Sequence, residues 1–335
     1  MLTFQLDTLS QLKKNNLKLK KDLITIGITC FNSQKSIKNA IFSALRQTWR
    51  PIEIIIIDDC SSDNGFQIIK ELADKNDLIS YFRNKVNKGV AYSRNKIIKN
   101  SKGKFIAFFD SDDVSLPTRL SEQYFRILEY EKNFANGCPV ICHTARKIIY
   151  QNSNNIIENT MGENLNRKAP AGIMVAKRIL FGNPLKDGYG SLATCSQMSR
   201  LNTYKLIGGF DNKFRRSEDT ELSIRLALNG THFVGIKKVL VLQHMTKIKE
   251  KNYENEVKFF EMVIKKHKEL MNNKQYEFAL KWINIKYIAY KNNFINFIPG
   301  LIFIFFKYPM LSINRFFLSL RNLIRNLYIF NFYKK

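Results

Sequence analysis

Apolar and polar positions alternate in blocks along the first third of the chain. Residues 23–30 are an apolar run ending in polar residues, and they predict a buried strand. Asn32 and Ser33 follow as helix-capping residue types. Ile37, Ile41, Ala44 and Leu45 recur at helical spacing, which predicts a helix over about 35–48, stopped at Trp49-Arg50-Pro51. Residues 53–57 are an unbroken run of Glu and four Ile, as expected for a strand buried on both faces of a parallel sheet. A helix over about 65–76, a strand over 79–83, a helix over 89–100 and a strand over 104–109 complete the pattern. Strands alternating with helices predict an α/β fold, doubly wound on a mostly parallel central sheet.

Polar clusters stand at the ends of three of these strands: residues 29–32, 58–63 and 110–113. In open α/β sheets, ligands bind beyond the carboxyl ends of the strands. The third cluster, Asp110-Ser111-Asp112-Asp113, puts three carboxylates within four residues. Like charges this close raise one another's pKa, and a hard divalent cation such as Mg²⁺ or Mn²⁺ relieves the repulsion while leaving positions for substrate phosphates. An acidic helix cap before Pro117 explains the same letters.

Residues 116–243 are less regular. The Asn-rich stretch 152–167 reads as a loop, and 171–191 as an irregular glycine-containing segment. Gly208-Gly209-Phe210-Asp211 is a turn, and Glu218-Asp219 opens an amphipathic helix. An apolar segment over 234–242 precedes His244. From about residue 247 the pattern turns helical and basic, and no Asp or Glu occurs over 278–335. There Phe316, Phe317, Leu320, Leu323, Ile324, Leu327 and Tyr328 fall on one helical face, and Asn314, Arg315, Asn322, Arg325 and Asn326 on the other. A basic amphipathic helix rich in aromatics reads as lying in an anionic membrane interface, or as a helix packed on the protein's own core.

Charge narrows the partners. The 335 residues carry 54 Lys and Arg against 28 Asp and Glu, a net charge of +26. Such a field favours nucleic acid, anionic lipid or phosphorylated ligands. The five cysteines (Cys30, Cys60, Cys138, Cys142 and Cys195) are odd in number and contain no CxxC pair. They read as reduced thiols of a cytoplasmic protein, not as a zinc set. The basic residues 1–22 carry no apolar signal core. The longest apolar candidate, 294–311, is broken by Asn296, Pro299, Gly300, Lys307 and Pro309.

Taken together, the blocks resemble an inverting family 2 glycosyltransferase with the A-type fold, over residues 23–246. The opening block is Ile28-Thr29-Cys30-Phe31-Asn32, which lacks the proline usual there. The second runs from Glu53 to Asp63 through Asp58-Asp59. The third runs from Asn87-Lys88-Gly89 through Arg94-Asn95 to Asp110-Ser111-Asp112-Asp113, and the fourth from Gly208 to Glu218-Asp219. The resemblance implies a nucleotide-diphospho-sugar transferase fold with a C-terminal α-helical tail. Its segments are a basic N-terminal stretch (1–22), a nucleotide-sugar-binding half (23–115), an acceptor-binding and catalytic half (116–246) and a membrane-associating region (247–335).

The resemblance also implies roles. Thr29, Phe31, Asn32 and Ser111 line the donor. Asp58 or Asp59 accepts from the base, with Arg94 nearby, and Arg216 meets the diphosphate or acceptor charge unless it is merely a solvated residue. Asp110, Asp112 and His244 hold Mn²⁺ or Mg²⁺, with Asp113 as a cap. Asp219 is the catalytic base, supported by Glu218. The donor is expected to be a UDP-sugar and the acceptor a surface polysaccharide or lipid-linked glycan of a bacterial envelope, at the inner face of the cell membrane. A silent sugar-nucleotide-binding relative and a sugar-nucleotide nucleotidyltransferase are the alternatives. A dinucleotide oxidoreductase needs a glycine-rich turn after the first strand, and residues 29–33 contain no glycine. No nucleic-acid-binding module is evident, so nucleic acid is not an expected partner.

Overall fold

The computed structural model describes residues 21–150, 155–246, 252–291 and 294–321. Strand β1 (Ile24–Cys30) pairs in parallel with β2 (Ile52–Asp58) on one side and β4 (Phe105–Asp110) on the other, and β3 (Ile79–Arg83) lies beyond β2. Helices α1 (Ile37–Leu45) and α2 (Gly65–Ala73) connect β1 to β2 and β2 to β3. Helix α3 (Val90–Asn100) carries the chain back across β1 to β4. The two directions of travel put α3 on the opposite face from α1 and α2, as right-handed crossovers require. Strand β2 records this two-sidedness. Ile52, Ile54 and Ile56 join the core under α1, while Ile55 and Ile57 join the core under α3. Gly27 lets α3 approach closely, since a Cβ there would stand 2.5 Å from the Ile97 side chain.

The second half begins with β5 (Val114–Ser115) and α4 (Arg119–Tyr130), followed by β6 (Val140–Ile149) and β7 (Ile156–Glu158). It continues through α5 (Ile173–Phe181), β8 (Gln197–Arg200), α6 (Leu201–Leu206), α7 (Glu218–Leu228) and β9 (His232–His244). The strand order is β3-β2-β1-β4-β8-β6-β9-β5, with β7 on β6. The parallel arrangement holds for the first four strands. Strand β8 then runs antiparallel to both β4 and β6, so the sheet becomes mixed.

Three expectations change. The first helix starts at Ile37, not near residue 35, and Asn32 and Ser33 belong to the preceding loop. The segment expected to be irregular contains α5, delimited by Gly172 (φ 68°) and Gly182 (φ 79°) in backbone conformations that favour glycine. The Asn-rich loop contributes β7.

Helices α8 (Tyr253–Lys266), α9 (Asn273–Tyr290), α10 (Phe294–Lys307) and α11 (Pro309–Arg321) follow. Asn272 and Gln275 form a reciprocal capping box that starts α9. The inner faces of these helices contribute Val263, Phe278, Trp282, Ile304 and Tyr308 to the same core as α5 and α7. Their outer face is apolar and exposed, through Ile295, Ile298, Phe306, Met310, Phe317 and Leu320. The expected apolar residues Leu323, Ile324, Leu327 and Tyr328, and nearly all of the basic stretch 1–22, lie outside the described residues. Among the described residues no helix is long and apolar enough to cross a membrane.

Candidate active site

The strand order reverses at β1, whose two neighbours lead in opposite directions, so a crevice opens at the carboxyl ends of β1 and β4. Register brings the polar clusters level there: Thr29 lies opposite Asp110, and Cys30 opposite Asp58. Asn32 adopts a left-handed backbone (φ 48°), which asparagine tolerates. Its N–H donates to Ser61 Oγ at 2.9 Å, and its Oδ1 accepts from Ser62 N–H at 2.8 Å. Ser33 Oγ lies 2.8 Å from Ser111 Oγ, joining the loops after β1 and β4. Phe31 and Thr29 are half-buried beside them.

The two aspartates after β2 divide their work. Asp59 accepts from Asn84 Nδ2 (2.6 Å) and from the Lys88 and Gly89 N–H groups (3.0 and 2.7 Å), so it shapes the loop that starts α3. Asp58 pairs with Arg83 at 3.1 Å and accepts from Ser61 N–H, but among the described residues its buried Oδ1 has no hydrogen-bond partner. Of the two, Asp58 keeps the spare buried acceptor.

Beyond β4, Asp110 and Asp112 are half-buried and Asp113 is buried. Asp113 is not a helix cap: it precedes β5, and α4 begins only at Arg119 after Thr118. Its Oδ1 accepts from His244 N–H at 3.1 Å, and its buried Oδ2 has no partner among the described residues. Burial, then the charges of Asp112 and Asp110, push its carboxyl well above the usual range, against the pull of the His244 N–H and Arg146. His244 Nδ1 lies 3.1 Å from the Asp112 carbonyl, and Thr246 Oγ1 donates to Asp112 Oδ2 at 2.5 Å.

Ligand atoms of Asp110, Asp113 and Cys195 come within 4.8 Å of one another. The Cys195 thiol is held neutral, pushed well above its usual range by burial. The Asp110 and Asp113 oxygens are hard donors that suit a cation, whereas Asp112 and His244, expected as ligands, lie outside this cluster among the described residues.

Two buried arginines stand behind these aspartates. Arg119 donates to Ser115 Oγ (2.8 Å), the Phe108 carbonyl (3.0 Å) and Gln123 Oε1 (3.1 Å), and lies over the Phe109 ring. Burial lowers its pKa to about 10, opposed by Cys195, Asp113 and Asp110. Arg146 pairs with Glu158 and also feels Asp113. Sequence reasoning missed both, because an arginine within an amphipathic helix or strand reads as a surface residue.

Helix α7 begins with Glu218 and Asp219 in its first turn, where the helix dipole favours negative charge. Glu218 is buried and Asp219 half-buried. Asp219 Oδ1 accepts from Thr220 N–H at 2.7 Å, and no hydrogen bond reaches Oδ2 among the described residues. Arg94, on α3, joins this helix to β4. Its Nη1 donates to Glu218 Oε1 at 2.7 Å and its Nη2 to Asp110 Oδ1 at 3.0 Å. Burial raises the Glu218 pKa; Arg94 opposes that rise and Asp219 adds to it. Arg216, expected at the donor, pairs instead with Glu256 of α8, and Arg215 donates to Asn87. The site thus gathers Thr29, Phe31, Asn32, Asp58, Asp59, Asp110–Asp113 and His244 along one sheet edge, with Glu218 tied in through Arg94.

Residues 25–182 match the family described as Glycosyl transferase family 2. The chain is 41% identical over 113 residues to the Escherichia coli UDP-Glc:alpha-D-GlcNAc-diphosphoundecaprenol beta-1,3-glucosyltransferase WfaP, a stretch covering 34% of this chain and 44% of WfaP. It is 26% identical over 220 residues to the putative glycosyltransferase EpsE of Bacillus subtilis, covering 65% of this chain and 71% of EpsE. The match thus spans less than half of WfaP and nearly three quarters of EpsE. In fold it is similar to S. aureus TarS in complex with UDP-GlcNAc, with a TM-score of 0.57 at 16% identity, over 79% of this chain and 72% of that one. Residues 25–182, just under half of the chain, thus form a glycosyltransferase family 2 domain.

Proposed function

We propose that the protein transfers a sugar, with inversion, from a UDP-sugar to a hydroxyl of a lipid-linked glycan or surface polysaccharide. The observation that carries this reading is the acidic end of β4 at the sheet's reversal point, linked by Arg94 to the acidic start of α7. The names of WfaP, a UDP-Glc-dependent enzyme acting on a diphosphoundecaprenol acceptor, and of TarS with bound UDP-GlcNAc support the donor and acceptor classes.

In this reading Asp110, Asp112, Asp113 and His244 would hold Mn²⁺ or Mg²⁺. When bound, the cation neutralises charge on the donor diphosphate and on the leaving nucleotide. Thr29, Phe31, Asn32 and Ser111 line the nucleotide, and Asp58 or Asp59 accepts from the base. Asp219 takes the proton of the acceptor hydroxyl as that oxygen bonds to the anomeric carbon and the carbon–oxygen bond to the nucleoside diphosphate breaks. Arg216, held by Glu256, meets acceptor or diphosphate charge only if that pair opens.

The segments divide accordingly into a donor half (23–115), an acceptor half (116–246) and a helical region from 247 onward. The exposed apolar face of α10 and α11, in a stretch without acidic residues, supports peripheral association with anionic lipid at the inner face of the cell membrane. The test is calorimetry of UDP, UDP-glucose and UDP-GlcNAc with and without Mn²⁺. Tight binding that depends on Mn²⁺ and is lost in Asp112→Ala is expected. Equal weakening of that variant with and without Mn²⁺ rejects the cation role.

A further inference from the structure

Arg94 is buried, and its two partners come from distant parts of the chain. Asp110 ends β4, and Glu218 starts α7, 108 residues later in the chain. Burial works against the charged guanidinium, but Asp110 and Glu218 outweigh it and hold the pKa above its ordinary value. The guanidinium also lies 5.3 Å from the centroid of the Phe210 ring.

The next residue of α3 grips the same loop by its backbone. Asn95 Nδ2 donates to the Phe210 carbonyl at 2.7 Å, and Phe210 N–H donates to Asn95 Oδ1 at 2.8 Å. The fit is tight: a Cβ on Gly209 would stand 2.4 Å from Asn95 Oδ1. Two of the five guanidinium donors are thus used on carboxylates and one face on an aromatic ring, which leaves Arg94 poorly placed to read a nucleotide base.

We propose that Arg94 is a positioning residue and not a contact to the donor base. It fixes the start of α7, and with it Asp219, relative to Asp110. This rests on the reading of Asp110 as the donor-phosphate side and Asp219 as the proton acceptor. The fork geometry matters, because a lysine carries the same charge but cannot hold two carboxylates in a fixed plane. Asp110 Oδ2 remains for other ligands while Oδ1 is held by Arg94.

The full-length variants Arg94→Lys, Arg94→Met, Glu218→Gln and Arg94→Met/Glu218→Gln test the proposal by two readouts that need neither sugar nor acceptor. Amide exchange over 208–222 is expected to rise about tenfold or more in Arg94→Met and less in Arg94→Lys. The double variant is expected to match the single ones, since both act through one contact. UDP affinity with Mn²⁺ is expected to stay within about threefold in Arg94→Lys. Where UDP-glucose turnover is measurable, Arg94→Lys is expected to lower kcat by about tenfold or more with KM little changed. Unchanged exchange over 208–222, or UDP binding weakened more than about tenfold in Arg94→Lys, overturns the proposal. If Arg94→Met does not fold, Arg94→Lys decides by the same readouts. If the unaltered protein binds no UDP, the donor reading fails, and the exchange data still decide whether Arg94 holds α7.

Discussion

Two runs of the chain are nearly alike in composition and opposite in use. Strand β4 reads Phe105-Ile106-Ala107-Phe108-Phe109, and helix α10 contains Leu301-Ile302-Phe303-Ile304-Phe305-Phe306. Every residue of the first is buried, because β4 lies between β1 and β8 with helices over both faces. In the second only Ile304 is fully buried, and Phe306 is 86% exposed. A helix offers the core one stripe, and an apolar residue outside that stripe must find water, lipid or another partner. The residues at the end of each run separate the two uses. Asp110 and two further acids close the strand, and Lys307 closes the helix. Apolar content alone does not tell a buried run from an exposed one.

The largest expected effect lies at the acidic border. Asp219→Asn should lower sugar transfer by about 10²–10⁴-fold while UDP binding with Mn²⁺ is retained. Loss of UDP binding instead would move Asp219 into the donor pocket. The next test compares the two runs directly. Phe108→Ala should cost about 3–5 kcal/mol in urea unfolding, and Phe306→Ala about 0.5 kcal/mol or less. The second variant should instead weaken binding to phosphatidylglycerol vesicles by about tenfold, as loss of a buried aromatic predicts. Equal destabilisation by both would mean that α10 is an ordinary core helix.

A smaller effect concerns how the helical region is fastened to α7. Fully buried Glu221 of α7 accepts from Lys266 Nζ at 2.6 Å and pairs with Arg225 at 2.7 Å. Lys266 also holds Asp211 at 2.7 Å. Burial alone would raise the Glu221 pKa, but His267, Arg225 and Lys266 depress it from 4.5 to about 2. A depressed carboxylate stabilises the fold above its unfolded value and loses that contribution as pH falls through the folded one. Stability should therefore decline between roughly pH 4.5 and 2, and Glu221→Gln should flatten that decline and cost about 3 kcal/mol at neutral pH. Denaturant melts at pH 7, 4 and 2.5 check the sign. A variant as acid-sensitive as the parent would assign the decline to other carboxylates.

Much of the first half of the sheet was legible in the sequence. The first four strands, the helices between them and the polar ends follow from β-branched runs and helical spacing, which are local signals. The later sheet was not. Strand β8 is four residues long, and its antiparallel place between β4 and β6 depends on partners distant in the chain. Helix α5 was hidden because its capping glycines resemble loop composition. At the site, the residue types were readable and their pairings were not. Asp113 has the letters of a cap but packs against His244, and Arg216 has the letters of a phosphate contact but pairs with Glu256. Both outcomes were decided by residues over 30 positions away.

Arg94, Arg119 and Arg146 place fixed positive charge around Asp110 and Asp113, by direct pairing or through the interior field. That arrangement separates two events that are joined in proteins whose metal is a structural rivet. Asp110 is already paired with Arg94 within the fold, so stripping divalent cations with EDTA should leave the thermal midpoint unchanged while abolishing Mn²⁺-dependent UDP binding. In the proposed reading the cation would then be an exchangeable partner of the donor diphosphate and not a part of the fold. Cation supply would set how often the site turns over, not how long the protein lasts.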